Sequence, residues 1–156
     1  MSKPAIQFDT YASHLPILAW ACSLPETKLR RCLEIGTGFY STALIQSVGG
    51  HSVETEEDYY KEIVKVYPKI KLLKNYERLV NYSFIFIDST PEESRVEHVK
   101  SFRYNTDLFI LHDAVAEWDY KYKYKSIIPQ FNFHKIVGLR PHTLLLSDRP
   151  ISYEGL

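Results

Sequence analysis

Short apolar runs alternate with amphipathic segments along most of this chain. Seven apolar runs have the length of buried strands, at residues 31–35, 51–55, 70–73, 83–88, 107–112, 131–138 and 142–147. The segments between them predict helices at 11–24, 40–48, 57–67 and 91–103, a short turn or helix at 76–79, and a further segment at 118–129. Strands that alternate with helices indicate a parallel sheet covered on both faces. The turn residues from Gly138 to Pro141 predict a closing hairpin, so that the last strand runs antiparallel.

The composition favours one globular domain without a strong net charge. The chain has 156 residues, enough for one core but too few for a cofactor domain and a separate catalytic domain, so we expect a single domain over residues 1–156. Lys plus Arg and Asp plus Glu both number 19, which gives no general attraction to nucleic acid or to a membrane surface. The longest apolar runs are shorter than the roughly 20 residues of a membrane span.

The two cysteines predict a reducing compartment. Cys22 and Cys32 lack the spacing of metal ligands, and no basic and apolar leader is found ahead of them. Thiols stay reduced in the cytoplasm, where disulfides are rare. The sequence therefore predicts a cytoplasmic protein in which both cysteines belong to the core.

Polar residues stand at the carboxyl ends of four predicted strands. An open α/β sheet binds its ligand outside these ends, where neighbouring connections diverge to opposite faces. The residues at these ends are Glu34, Gly36, Gly38, Glu54, Asp88, His112 and Asp113. Because parallel strands end at the same edge of a sheet, we expect these residues to converge on one site.

The stretch LEIGTGFYST predicts a tight strand-to-helix turn beneath a ligand. Gly36 and Gly38 suit such a turn, although a tight turn favours glycine even without a ligand. Glu54 ends the next strand, 20 residues after Glu34, where an acid can accept hydrogen bonds from both hydroxyls of a ribose. A dinucleotide site favours a third glycine at the position of Ser41.

S-adenosylmethionine (SAM) fits this shorter glycine pattern. SAM presents an amino acid carboxylate to the helix instead of a pyrophosphate, and the helix dipole with Thr37, Ser41 and Thr42 can hold that carboxylate. The pattern therefore favours a SAM site over a nicotinamide site.

These motifs resemble those of the class I SAM-dependent methyltransferases. LEIGTGFYST, VET at 53–55, FIDS at 86–89 and the strand order carry the resemblance, which covers nearly the whole chain. It implies an α/β fold with a doubly wound, mostly parallel seven-stranded sheet and an antiparallel last strand, and SAM as the cofactor. It also implies that Glu34 and the glycine loop lie beside the methionine part of SAM, and that Glu54, followed by Thr55, binds the ribose. Asn75 stands where the family often has an Asp that faces the adenine amino group.

The chain is more similar still to a group of small bacterial, archaeal and viral members of that family. The shared features are Ser13-His14, GFYST at 38–42, VET, Asp88 followed by Pro91 and Arg95, and His112-Asp113. The chain departs from the family at 104–106, where Tyr-Asn-Thr replaces the Pro-Gly-Gly common before the fifth strand. The group implies no particular methyl acceptor.

Two routes to catalysis are compatible with the sequence. Asp88 and Asp113 resemble two carboxylates of the metal-dependent O-methyltransferases, in which a divalent ion holds the acceptor oxygens. The third ligand of that pattern, often Asn or Asp, is Ala114 here, so the sequence favours a metal-free route. In that route His112 or His14 removes the acceptor proton, although an isolated histidine is more often structural. We expect Asp88 to contact both the cofactor and the acceptor.

The sequence leaves the acceptor open. We expect methyl transfer to an oxygen, less readily to a nitrogen, of a small molecule or a macromolecule. The segment DYKYKYK at 119–125 interleaves aromatic and basic residues as single-stranded nucleic-acid sites do, but an amphipathic rim or an oligomer contact is the favoured interpretation. Because small members of this fold often pair, we expect a homodimer. The signatures of base methylation are missing, so a nucleic-acid partner is not expected. The alternatives are a SAM-binding or fold-only protein without transferase activity, and a nicotinamide-binding protein.

Overall fold

The computed structural model describes residues 12–79 and 81–154. Its α-helices are α1 (Leu15–Ser23), α2 (Pro25–Leu29), α3 (Phe39–Ser47), α4 (Glu57–Val66), α5 (Ser94–Ser101) and α6 (Asp119–Tyr122). Its strands are β1 (Leu33–Ile35), β2 (His51–Glu54), β3 (Lys71–Leu72), β4 (Ile85–Ile87), β5 (Leu108–Leu111), β6 (Phe133–Val137) and β7 (Thr143–Ser147). Short 3₁₀ helices lie at Leu73–Asn75, Ala116–Trp118, Tyr124–Ser126 and Ile128–Gln130.

The strands form one seven-stranded sheet in the order β3-β2-β1-β4-β5-β7-β6. Neighbours among β1 to β5 pair in parallel, whereas β7 pairs antiparallel with both β5 and β6. The doubly wound sheet and the antiparallel last strand are therefore confirmed. The chain leaves β1 toward β2 on one side and later returns to β4 on the other, so the sheet has its topological switch point between β1 and β4.

Both faces of the central strands are buried, as a parallel sheet requires. Ile85 and Ile87 of β4 face a layer that contains Val96 and Val99 of α5. Phe86, between them, faces the opposite layer, which α1 and α3 cover. This alternation explains why β4 is an unbroken apolar run in the sequence.

Most element boundaries lie within three residues of the sequence predictions, and the larger differences are in three places. The first helix was predicted at 11–24 but begins at Leu15; residue 11 lies outside the described residues. Helix α2 was not predicted, although Pro25 in its first turn is a usual start signal. No helix forms at 76–79, because Tyr76 is extended and its hydroxyl contacts Nδ1 of His51 (2.6 Å).

None of the helices in the described ranges combines the length and the apolar character that a membrane crossing requires. Cys22 and Cys32 are free thiols, as predicted. Cys32 is buried in the core, whereas Cys22 is only partly buried and packs against the core's edge.

The two glycines of the loop after β1 serve different purposes. Gly36 has a φ of +85°, and a Cβ there would lie 2.5 Å from the backbone of Asp88 and Ser89. Gly38 has an extended backbone, and a Cβ there would meet only the hydroxyl of Ser41, at 3.1 Å. The fold itself therefore requires glycine at position 36, whereas Gly38 leaves open space above the first turn of α3.

We predict that Gly36→Ala destabilises the protein by at least about 2 kcal/mol, because an L-residue in left-handed backbone and a backbone clash are both costly. Gly49→Ala is the matched control, since Gly49 also has a positive φ (+77°) but nothing lies within 4 Å of its added Cβ. Urea unfolding measures both variants. Equal losses of unfolding free energy would show that the contact with Asp88 and Ser89 carries no cost.

Candidate active site

A cavity of about 460 Å³ opens at the carboxyl ends of β1 and β4, at the topological switch point. The cavity is enclosed by the glycine loop, the first turn of α3, the start of α1, one residue of α4 and one residue at the end of β4. The lining residues are His14, Thr37, Gly38, Phe39, Tyr40, Ser41, Tyr59 and Asp88. Five of the residues predicted from the sequence, His14, Thr37, Gly38, Ser41 and Asp88, thus line one cavity.

Glu34 lies beneath the glycine loop and is completely buried. Its Oε2 accepts a hydrogen bond from the hydroxyl of Thr42 (2.8 Å), which in turn accepts one from the backbone N–H of Gly38 (3.1 Å). Neither Glu34 nor Thr42 lines the cavity. Together they hold the glycine loop from below, so their contribution to ligand binding is indirect.

Glu54 is surrounded by donors from the protein itself. Its Oε2 accepts hydrogen bonds from the backbone N–H (3.0 Å) and the hydroxyl (2.5 Å) of Thr37. Its Oε1 accepts hydrogen bonds from the backbone N–H groups of Thr55 (2.7 Å) and Glu56 (3.0 Å). A carboxylate offers about four acceptor positions, so a ribose hydroxyl can reach Glu54 only by replacing one of these donors.

Two predicted cofactor residues lie away from the cavity lining. The hydroxyl of Thr55 donates to the carbonyl of Thr90 (2.8 Å) and so ties the end of β2 to the loop after β4. Asn75, predicted to face adenine, ends the 3₁₀ helix after β3 with an exposed side chain. Both nonetheless lie at the carboxyl edge of the sheet.

The ends of β4 and β5 are joined by the buried guanidinium of Arg95, in the first turn of α5. One of its amino groups lies 2.8 Å from Oδ1 of Asp88, and the other lies 3.2 Å from Oδ2 of Asp113. Its remaining acceptors are the carbonyls of Ser89 (2.9 Å) and His112 (3.1 Å) and the hydroxyl of Tyr124 (3.3 Å). Arg95 therefore occupies the position between the two carboxylates at which the metal pattern would place an ion.

Two tyrosines of the 119–125 segment support this cluster instead of facing solvent. Tyr122 and Tyr124 are buried with stacked rings 5.4 Å apart. The hydroxyl of Tyr122 donates to Oδ2 of Asp113 (3.2 Å), and that of Tyr124 donates to the carbonyl of His112 (2.7 Å). These rings are not available for stacking on bases, whereas Tyr120 remains exposed.

His112 lies behind the cavity wall, and both of its ring nitrogens have neighbours. Nε2 lies 3.0 Å from the hydroxyl of Ser13. Nδ1 lies 3.3 Å from Oδ2 of Asp88 and 3.4 Å from Oδ1 of Asp113. Burial alone would raise the pKa of Asp88, but the hydrogen bond with His112 and the charge of Arg95 outweigh burial and lower it. Asp88 is therefore ionised at neutral pH.

His14 lines the cavity and packs against His112, with ring centroids 4.5 Å apart. It is only 3% exposed, and neither ring nitrogen has a hydrogen-bond partner among residues 12–79 and 81–154. Burial, with the nearby imidazole of His112, lowers the pKa of His14 to about 4. The ring is therefore neutral at pH 7.

Sequence reasoning missed the aromatic wall of the cavity. Phe39, Tyr40 and Tyr59 line it, and Phe39 and Tyr40 keep about half of their surface exposed. The sequence did indicate Phe39 and Tyr40, because they follow Gly38 directly and begin α3. Tyr59 carried no such signal, because its position depends on how α4 packs.

The sheet order and the position of the cavity can be compared with known proteins. No protein-family model matches the sequence, and no curated protein matches it. Solved structures, however, match over most of the chain. The chain has the class I methyltransferase fold.

Three solved structures illustrate this methyltransferase fold. The N-terminal domain of human METTL16 in complex with S-adenosylhomocysteine (SAH) matches with a TM-score of 0.54 and 16% identity, over 96% of this chain and 76% of that one. An O-methyltransferase from Bacillus cereus in complex with SAH matches with a TM-score of 0.51 and 16% identity, over 92% and 93% of the chains. A Klebsiella pneumoniae protein described as a candidate O-methyltransferase matches with a TM-score of 0.57 and 15% identity, over 94% and 84%.

We predict that Glu34→Gln stabilises the protein more at pH 8 than at pH 4.5. Complete burial raises the pKa of Glu34 from 4.5 to about 7, against the opposing effect of nearby hydroxyls. Between these values the folded state keeps a proton that the unfolded state has released, so stability falls as pH rises. Gln stays neutral, so the difference in unfolding free energy between variant and wild type should grow by about 2 to 3 kcal/mol across this range.

Urea unfolding at closely spaced pH values measures that difference. Subtracting the unfolding free energy of the wild type from that of the variant at each pH cancels the pH dependence of the titratable groups that both proteins share. A constant difference from pH 4.5 to pH 8 would contradict the raised pKa.

Proposed function

We propose that this protein is a SAM-dependent methyltransferase that binds SAM in the cavity and transfers its methyl group to an oxygen of an acceptor. The observation that carries the proposal is the cavity itself, which lies at the switch point between the glycine loop and Asp88. Open α/β sheets bind their ligands there. Two solved structures with the same fold, from human and from Bacillus cereus, contain SAH.

The first turn of α3 suits the methionine part of SAM. Gly38, Phe39, Tyr40 and Ser41 line the cavity where this nine-residue helix begins. The positive end of the helix dipole stabilises a carboxylate, and the hydroxyl of Ser41 offers a further donor. The rings of Phe39, Tyr40 and Tyr59 suit the sulfonium, because aromatic faces attract cations.

The acceptor would approach from the side of His14 and Asp88. Its oxygen attacks the methyl carbon of SAM, a carbon–oxygen bond forms, and the carbon–sulfur bond breaks with its electron pair remaining on sulfur. The products are SAH and the methyl ether or ester, and the hydroxyl proton leaves to a base. Because the neutral ring of His14 and the ionised carboxylate of Asp88 face the cavity, proton removal on this side is chemically feasible. Alignment of the reacting atoms contributes several further kcal/mol, up to about 10.

The choice of oxygen as the attacking atom is supported by the polar wall at Asp88, by the matching O-methyltransferase from Bacillus cereus and by the Klebsiella pneumoniae protein described as a candidate O-methyltransferase. A protein that binds SAM without transferring its methyl group is the competing hypothesis, since the fold alone permits it. An assay that follows the labelled methyl group of SAM into fractionated small-molecule extracts distinguishes the two hypotheses. Binding of SAM and SAH without labelled product in any fraction favours the competing hypothesis.

We predict that SAM and SAH bind the cavity and that substitution at Gly38 weakens them in proportion to size. A side chain at Gly38 is compatible with its extended backbone and projects near Ser41, above the helix start. Gly38→Ala should therefore have a small effect, and Gly38→Val should lower the affinity for SAM at least about 10-fold, or about 1.4 kcal/mol. Isothermal titration calorimetry measures the series.

Unfolding curves of the same variants serve as the control, because both should remain as stable as the wild type. If neither SAM nor SAH binds the wild type, the proposed function is wrong. If Gly38→Val binds SAM as tightly as the wild type, the cofactor lies elsewhere.

We predict that the hydroxyl of Thr37 and a ribose hydroxyl of SAM compete for the same carboxylate oxygen of Glu54. Glu54→Ala should weaken SAM binding by about 1 to 3 kcal/mol, because a charged acceptor is lost. Thr37→Val removes the hydroxyl that occupies Oε2 of Glu54 and should leave the affinity unchanged or raise it. Calorimetry with SAM tests both variants. Equal weakening by the two would instead assign the hydroxyl of Thr37 a direct contact with the cofactor.

A further inference from the structure

The imidazole of His14 is polar, buried and unpartnered. Both nitrogens lack a hydrogen-bond partner among residues 12–79 and 81–154, although the ring is 97% buried and lines the cavity. A buried polar group without a partner costs free energy, commonly about 1 to 3 kcal/mol, so a ligand for this ring is expected.

The contacts of Ser13 allow a tautomer of the neighbouring His112 that suits a metal ligand. A serine hydroxyl has one hydrogen, and the hydroxyl of Ser13 lies within hydrogen-bond distance of the carbonyl of Pro141 (3.1 Å) and of Nε2 of His112 (3.0 Å). When Ser13 donates to Pro141, Nε2–H of His112 donates to Ser13, and Nδ1 presents a lone pair toward Oδ2 of Asp88, 3.3 Å away. An ion bound between Nδ1 and Oδ2 would take the place of the proton that otherwise joins these two atoms in a hydrogen bond.

We propose that His14, Asp88 and His112 bind a divalent transition-metal ion at the inner wall of the cavity. One ligand atom from each residue lies within 4.8 Å of the other two. The separation of 3.3 Å between Nδ1 of His112 and Oδ2 of Asp88 matches two ligands at tetrahedral positions, which are about 3.4 Å apart when each lies about 2.0 to 2.1 Å from zinc. A nitrogen of His14 lies within 4.8 Å of both atoms, so a side-chain movement toward such an ion completes the set.

The groups around these three side chains are those that support metal ligands. A metal-bound histidine normally donates its other ring N–H to an acceptor, and the hydroxyl oxygen of Ser13 lies 3.0 Å from Nε2 of His112, within reach of such a bond. Ligating carboxylates are themselves hydrogen-bonded, and Arg95 binds Oδ1 of Asp88 while leaving Oδ2 for the ion. The negative charge of Asp113 beside Arg95 offsets the repulsion between the guanidinium and the ion.

This ligand set differs from the one that the sequence suggested. A metal bridging Asp88 and Asp113 would have to displace the guanidinium of Arg95 from its buried site. Two imidazoles and one carboxylate favour zinc or iron, whereas magnesium and calcium favour oxygen ligands throughout. Three protein ligands leave at least one position open, as in catalytic zinc sites. His14 and Asp88 line the cavity, so that position would be accessible from it.

The role of the ion rests on the proposed function, whereas its binding does not. An acceptor hydroxyl bound at the open position would release its proton more readily, because a metal ion lowers the pKa of a bound oxygen. His14, Asp88 and His112 would hold the ion, and the ion would supply this lowering of the hydroxyl pKa on the acceptor side of the cavity. The ion would thereby make the acceptor side specific for oxygen nucleophiles.

The test uses the whole 156-residue chain after treatment with a chelator and dialysis. Titration with Zn²⁺ should give one site per chain, and Co²⁺ in place of Zn²⁺ should give the visible absorption of a low-coordinate nitrogen and oxygen site. His14→Ala is the primary variant, because it removes a side chain that makes no hydrogen bond within the described residues. It should lower the Zn²⁺ affinity at least about 100-fold, beyond the loss typical of an outer-shell partner.

Two further variants control for other binding sites. His134→Ala removes an exposed histidine of β6 and should leave Zn²⁺ binding unchanged. Asp113→Asn keeps a residue type that tolerates the positive φ of this position (+61°), and it should lower the affinity by less than His14→Ala does. If Asp113→Asn abolishes binding while His14→Ala retains it, the assignment of the ligands is wrong.

Three outcomes overturn the proposal: no stoichiometric uptake of Zn²⁺ or Co²⁺, unchanged uptake by His14→Ala, or a doubly protonated His112 ring in nitrogen NMR spectra of the protein at pH 7 with Zn²⁺ present.

Calorimetry with SAM on the chelator-treated protein separates this proposal from the proposed function. If the protein binds SAM but no ion, the metal site is wrong and the proposed function is unaffected. If the protein binds the ion but not SAM, the proposed methyltransferase function is wrong and the metal site is unaffected.

Discussion

The buried guanidinium of Arg95 is the group on which the acceptor side of the site depends. Its donors reach Asp88 after β4, Asp113 after β5 and the 119–125 segment through Tyr124. A buried charge is costly to leave unpaired, so breaking any of these contacts penalises the others. The consequence is a rigid corner between two strand ends, α5 and the segment that follows β5. Asp88 is oriented from this corner toward the cavity and His112.

Two buried acids and one partly buried acid at the carboxyl edge of the sheet illustrate how environment assigns different roles to the same chemical group. Glu34 has neutral hydroxyls and no cation as its partners within the described residues, so burial dominates and raises its pKa to about 7. Glu54 is saturated by backbone N–H groups and shapes the loop. Asp88 has a cationic partner and lines the cavity. Only the last is available to a ligand without rearrangement of the protein.

The sequence predicted the architecture well because the fold depends on patterns that are local. The apolar run of β4 and the glycines after β1 each identify a strand end, and parallel pairing brings those ends together. Arg95 shows where such reasoning stops. On a helix its pattern is that of a solvated residue, and its burial follows only from how α5 packs against β4 and β5. The pairing of His14 with His112 likewise spans most of the chain and has no local signal.

The two loop glycines carry different information about related sequences. Gly36 is required by its positive φ and by the backbone of Asp88 and Ser89, whatever the cavity contains. Gly38 is under no such constraint from the protein. A descendant that had lost the ligand could therefore accept larger residues at position 38 while it kept glycine at position 36. In a set of relatives, variation at the second glycine alone would mark the members that retain the architecture but have given up the chemistry.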